Sequence, residues 1–196
     1  MFLLRKPSVE KIRELISAQR CLPFSYAKVG STQGKLPGGY TIDHNRTKLG
    51  YGARTYDSAV AALKDWQQFD LGWTRIVPPQ TPLRTDQIVA VRARTFGVWS
   101  LNACRVVYLI NEDRKFGFAY GTLREHAERG EERFQVEWEK DDSVWYDILA
   151  FSRPQHLLVR IGRPLARMLQ KRFARDSLKK MRSIVSALEL QPSIRL

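Results

Sequence analysis

The chain has 196 residues, 43% of them hydrophobic and 27% charged, a balance that supports a buried core and excludes compositional disorder. Two cysteines, Cys21 and Cys104, exclude a disulfide framework and suit a reducing compartment. No apolar run reaches the roughly 18 residues of a spanning helix, and Met1–Pro7 is too short and charged for a signal peptide, so a globular, cytoplasmic protein is expected. The net charge is +13, and the segment from Phe151 to Leu196 carries eleven basic residues against Asp176 and Glu189. A cationic surface of that kind concentrates polyanions.

Repeats and linker-like stretches are absent, so one domain is expected over residues 1–196. The spacing of Val9, Ile12, Leu15 and Ile16 predicts a helix from Ser8, its cap, to Gln19. A Gly/Pro-rich loop then completes an N-terminal extension, residues 1–39. Tyr40–Lys48 reads as a strand, and Gly50-Tyr51-Gly52 as a turn into a helix that Thr55 caps, with Tyr56, Ala59, Val60, Leu63 and Trp66 on one stripe. This glycine pair lacks the third glycine and the βαβ setting of a dinucleotide loop.

After an added strand at Trp73–Val77, the runs Gln87–Thr95, Trp99–Ile110, Lys115–Leu123, Glu131–Glu139 and Val144–Ser152 are rich in β-branched and aromatic residues. Their hairpin-length breaks predict antiparallel neighbours, so residues 40–152 are mainly sheet. A long basic helix closes the chain over residues 162–190. Leu165, Leu169, Phe173, Ser177, Met181, Ile184 and Leu188 form its apolar stripe, suited to lying across a curved sheet.

An even-length turn over Lys140–Ser143 pairs Trp138 with Trp145, Val136 with Asp147, Phe134 with Leu149 and Glu132 with Phe151. That register sets Glu132 and Asp147 among aromatic side chains, where each carboxylate is either paired structurally or orients a ligand. Arg105, opposite Tyr120, would be their partner. His126 lies in a polar strand connection near these residues. With His44 and His156 it completes the histidines, whose spacing does not suit zinc. Neither a nucleophile elbow nor a catalytic cysteine setting is present, and no metal or cofactor is expected.

The runs Tyr40–Arg46, Trp66–Trp73, Trp99–Arg105, Phe116–Leu123, Gly130–Phe134, Val144–Ile148 and Phe173–Ser177 resemble the domain-of-unknown-function family nineteen-ninety over nearly the whole chain. The order of elements is similar to the helix-grip fold of the START and Bet v 1-like proteins. That resemblance implies an α+β protein: a curved antiparallel sheet gripping a long C-terminal helix around a cavity for an apolar ligand. About forty residues before the first clear strand depart from it, and they could cap or fill that cavity.

The leading expectation is therefore a small, largely apolar ligand, lipid-like or aromatic. Tyr108, Tyr120, Trp138 and Trp145 would wall it, and Arg105, His126, Glu132 and Asp147 would supply polar groups. An alternative is nucleic acid or an anionic membrane surface held by Arg167, Lys171, Arg172, Arg175 and Lys179, although the helix lacks the stacking aromatics usual in nucleic-acid readers. A further alternative is an enzyme using the same cavity, which would need a perturbed pKa near His126 or Glu132.

Overall fold

In the computed structural model, which describes residues 1–155 and 163–189, eight strands form one antiparallel sheet. They are β1 (Phe2–Leu3), β2 (Thr41–Tyr51), β3 (Thr74–Val77), β4 (Ile88–Thr95), β5 (Val98–Glu112), β6 (Lys115–Thr122), β7 (Glu128–Trp138) and β8 (Ser143–Pro154). The order is β2-β8-β7-β6-β5-β4-β3, with β1 on the start of β5. Consecutive antiparallel strands build the meander from β4 to β8, as the short breaks require, β3 adds to β4 through a longer connection, and β2 returns to pair with β8. Extra residues at Val107 in β5 and Leu49 in β2 shift the register, and such bulges bend and twist the strands that carry them.

Among the described residues there are three α-helices: α1 (Val9–Ala18), α2 (Gly52–Lys64) and α3 (Arg163–Glu189). Ser8 caps α1, its hydroxyl accepting the Lys11 N–H at 3.2 Å, as expected. Helix α2 begins at Gly52, three residues before the expected cap, and Thr55 is buried within it. Gly52 adopts a φ of +80°, the left-handed region that glycine enters without steric cost.

The two sheet faces have separate cores. On the inner face, α2 and α3 pack Tyr56, Leu63, Met181 and Val185 against Val106, Phe118, Phe134 and Tyr146. The α3 stripe is shifted from the expected one. Ser177 and Met181 are buried, but Ala174 and Val185 join them while Leu165 is 45% exposed. On the outer face, Ile12 and Leu15 of α1 pack on Ile88, Leu101 and Leu123.

Two register expectations are corrected. In the last hairpin Trp138 pairs with Val144, Val136 with Tyr146, Phe134 with Ile148 and Glu132 with Ala150. The connecting loop holds an odd number of residues: Glu139 N donates to Ser143 O at 2.8 Å, and Asp142 takes a φ of +69°. A three-residue turn with a left-handed third position has this form. One residue of slip reverses every side chain of β8, sending Trp145, Asp147, Leu149 and Phe151 to the outer face. In β5, the Val107 bulge places Arg105 opposite Gly121, and Val106, not Arg105, opposite Tyr120.

The N-terminal extension mainly covers the outer face, and Phe2, on β1, is its one residue that borders the cavity of the inner face. Its anchor is Glu131, 2% exposed, whose carboxylate accepts from Tyr26 Oη at 2.6 Å, Gly30 N at 2.7 Å, Thr32 N at 3.0 Å and Thr32 Oγ1. Gly121 provides the space. A Cβ there would lie 2.2 Å from Tyr26 Oη and 2.8 Å from the Phe24 ring. Gly121→Val is therefore expected to cost about 1–3 kcal/mol by overpacking. A lowered urea midpoint would show it, and an unchanged midpoint would mean that the extension does not press on β6.

Candidate functional site

Between the inner face and α3 the packing divides. Toward α2, rings close the space: Trp66 stands 4.9 Å from Phe118, and Phe69 lies 5.2 Å from both Phe134 and Phe173. Beyond that cluster, along α3 from Leu165 to Arg182, a cavity of about 990 Å³ remains, at the upper end of the size usual for small-molecule sites. Phe69, Trp73, Val91, Ile148, Leu169 and Phe173 are among its apolar walls.

Tyr120 on β6 and Glu132 on β7 project into this space side by side, since their strands pair them directly. The phenol donates to Glu132 Oε2 at 2.7 Å. Glu132 remains partly accessible although protein surrounds it, as expected of a side chain facing an internal cavity. Burial pushes its carboxyl up to about 7, against a smaller opposing effect of the Tyr120 hydrogen bond. Burial also drives the Tyr120 phenol well above its ordinary value.

His126, on the β6–β7 connection, lines the same cavity. Burial lowers its imidazole to about 3, so the ring is neutral. Its Nδ1 accepts the Glu128 N–H at 3.0 Å. Both shifts favour uncharged forms: at pH 7 His126 is neutral and Glu132 is about half protonated.

Glu132 has a pH signature with a defined sign. Its folded pKa lies above its unfolded value, so between about pH 4.5 and 7 the folded state binds more protons and stability falls as pH rises. His126, whose pKa falls on folding, contributes the opposite slope between about pH 3 and 6.5. Glu132→Gln is expected to remove only the first contribution. The variant should gain stability relative to wild type as pH climbs toward 7, read from paired urea titrations. Parallel curves would contradict burial as the cause.

The remaining expected residues stand elsewhere. Arg105 lies on the outer face, where it donates to the carbonyls of Gln19, Arg20 and Leu22 at 2.8–3.0 Å, satisfying acceptors that follow α1. Tyr108, also outer, shares a 2.7 Å hydrogen bond with Thr32 Oγ1. Asp147 is held there by Arg133 at 2.9 Å and by His44. Trp145 lies under the Arg46 guanidinium at 4.6 Å. Trp138 keeps the inner face but sits at the hairpin tip, tilted against Tyr56 at 5.8 Å and bonded to Asp142. His156 lies outside the described residues.

On α3, Arg167 makes a two-pronged contact with Asp43 of β2. Arg172 lies over the Trp73 ring at 4.5 Å and, with Arg175, bonds Asp176, which also accepts from Trp73 Nε1 at 3.1 Å. Lys171 and Lys179 are exposed and border the cavity. Hydrophobic patterning underplayed Trp73, which precedes a four-residue strand, and Ala150, whose small side chain leaves room beside Glu132. Among the described residues, no group of three His, Cys, Asp or Glu is placed to hold a metal ion, and no helix is long and apolar enough to cross a membrane.

Residues 25–180 match a family described as "Domain of unknown function (DUF1990)". A "UPF0548 protein" of Dictyostelium discoideum is 34% identical, covering 95% of this chain and 97% of that protein. Among solved structures, an aromatase/cyclase, Zhui, from Streptomyces sp. R1128 superposes with a TM-score of 0.56 at 7% identity, over 80% of this chain and 99% of that one. A START superfamily protein from Mycobacterium smegmatis gives 0.53 at 12% identity, over 76% and 99%. The fold is thus the helix-grip arrangement expected, with a curved sheet and a closing helix.

Proposed function

The chain belongs to the DUF1990 family, and from that premise and the cavity geometry we propose that it binds a small, largely apolar molecule between its sheet and α3. The supporting observation is the cavity of about 990 Å³ with apolar and aromatic walls and the Tyr120–Glu132 pair inside. Apolar walls supply affinity through area removed from water, and a few fixed polar groups orient the guest. Glu132, with a pKa of about 7, can donate from its protonated form or accept when ionised. The guest polar group it suits is therefore a carbonyl or hydroxyl.

The test is titration with N-phenyl-1-naphthylamine, a neutral fluorescent apolar probe. Saturable binding near one equivalent is expected, with Glu132→Gln changing affinity for hydroxyl-bearing competitors more than for plain hydrocarbons. Absence of saturable binding, by probe or by native mass spectrometry of the purified protein with apolar extracts, would overturn the reading.

The same pair could serve an enzyme, since a carboxyl tuned near neutrality and hydrogen-bonded to a phenol is suited to proton transfer. Binding is the reading supported without further assumption, because no second titrating group stands within hydrogen-bond distance of the dyad among the described residues. The polyanion reading is weaker, since two of its five cations, Arg167 and Arg172, are engaged by Asp43 and by Trp73 and Asp176.

A further inference from the structure

We infer that the guest is an anionic amphiphile, its apolar body between sheet and helix and its acidic head at the α3 edge of the cavity; this rests on the binding reading above. Lys171, Arg175, Lys179 and Arg182 follow one another at three- and four-residue steps, which on a helix confines them to an arc of roughly 80°. All four are exposed and all four border the cavity. Their charge is poorly balanced. Arg175 shares Asp176 with Arg172, whereas Lys171 and Lys179 form no ion pair with the described residues. Among the described residues Arg182 donates only to the Lys48 carbonyl, at 3.3 Å.

The contrast with the interior gives this stripe its meaning. Asp43, the carboxylate facing α3 from β2, is already bound by Arg167. Glu128 borders the cavity and has partners of its own. Inside, His126 is neutral and Glu132 is neutral or negative near pH 7, so neither supplies a positive counter-charge. A charged head placed deep would lose hydration without a counter-charge, whereas at the edge it stays partly hydrated and meets several cations. Phe96, 75% exposed, and Leu165, 45% exposed, also border the cavity and add exposed apolar surface to its lining.

Four probes with one alkyl length separate the contributions: dodecanoate, dodecanol, dodecyltrimethylammonium and dodecyl phosphate, each below its micelle concentration and at a pH where the acids are ionised. Competition against the naphthylamine probe gives their affinities, and dodecyl phosphate distinguishes a carboxylate from a phosphate head. Exposed ion pairs are individually weak, so three or four together should favour the anionic probes over the alcohol by roughly tenfold at low salt. The cationic probe should bind least. The preference should shrink in added salt and disappear in Lys171→Glu/Lys179→Glu/Arg182→Glu, which should bind the alcohol as wild type does.

Equal binding of acid and alcohol would overturn the anionic head and leave the binding reading standing. Failure of every probe would overturn both. A single-stranded oligonucleotide that displaces dodecanoate at the same salt would reassign the cations to a polyanion and overturn the proposal. Altered alcohol binding in the triple variant would do so too, by showing that its effect is not confined to the head.

Discussion

Ala150→Trp is expected to weaken binding of the naphthylamine probe by roughly tenfold or more, with little change in the unfolding midpoint. Ala150 sits on β8 opposite Glu132 and borders the cavity, so an indole there fills volume that a guest would occupy. Tenfold corresponds to about 1.4 kcal/mol, modest beside the contact a buried apolar guest would lose. Overpacking at a filled position would instead cost about 1–3 kcal/mol of stability. The two outcomes thus separate an open cavity from a packed core. A variant that binds as wild type would place the guest elsewhere, and one that loses stability while binding normally would mean the space is not free.

Glu131→Ala should be the most destabilising of the substitutions considered. Removing its carboxylate deprives two backbone N–H groups and two hydroxyls of their acceptor on the outer face. Hydrogen bonds to charged groups contribute about 1.5–3 kcal/mol each, and buried groups left unpaired add a penalty. A loss above about 3 kcal/mol is expected, equivalent to a fall of roughly 10 °C in Tm for a chain of this size. Cleavage within residues 20–39 under limited proteolysis should accompany it. Probe binding at low temperature should survive, since the Glu131 carboxylate acts on the outer face, although the residue itself borders the cavity. A variant with wild-type Tm would mean that the extension is held by its apolar contacts alone.

Neighbouring glutamates thus divide the labour of the two faces, and the difference between them was partly legible. Glu132 alternates with Phe134, Val136 and Trp138 on one strand, and this pattern by itself assigned it to the inner face. Asp147 had no such guide. Val144, Tyr146 and Ile148 form one apolar set on β8, and Trp145, Leu149 and Phe151 form another, because the N-terminal extension buries the outer face as well. Phe151 packs edge-on against Tyr26 at 5.6 Å and Tyr40 at 5.1 Å. With both faces apolar, register rested on the parity of the turn, and Lys140-Asp141-Asp142-Ser143 does not declare that Asp142 takes a left-handed conformation.

The same limit explains Arg105 and Tyr108. Alternation through β5 is legible only up to a bulge, and Val107 sits in an unbroken apolar run that disguises it. The strands themselves, their antiparallel order and the closing helix followed from β-branched content and short connections. Those features depend on local chemistry, whereas the cavity depends on what α2 and α3 leave unfilled.

The most direct measurement is an isotope-filtered NOE spectrum of methyl-labelled protein with one equivalent of the naphthylamine probe. Cross-peaks from probe protons to the methyls of Val91, Ile148 and Leu169, with none to those of Ile12 or Leu15 beneath the extension, are the predicted result. Cross-peaks confined to the outer-face methyls, or none despite saturating probe, would contradict the account.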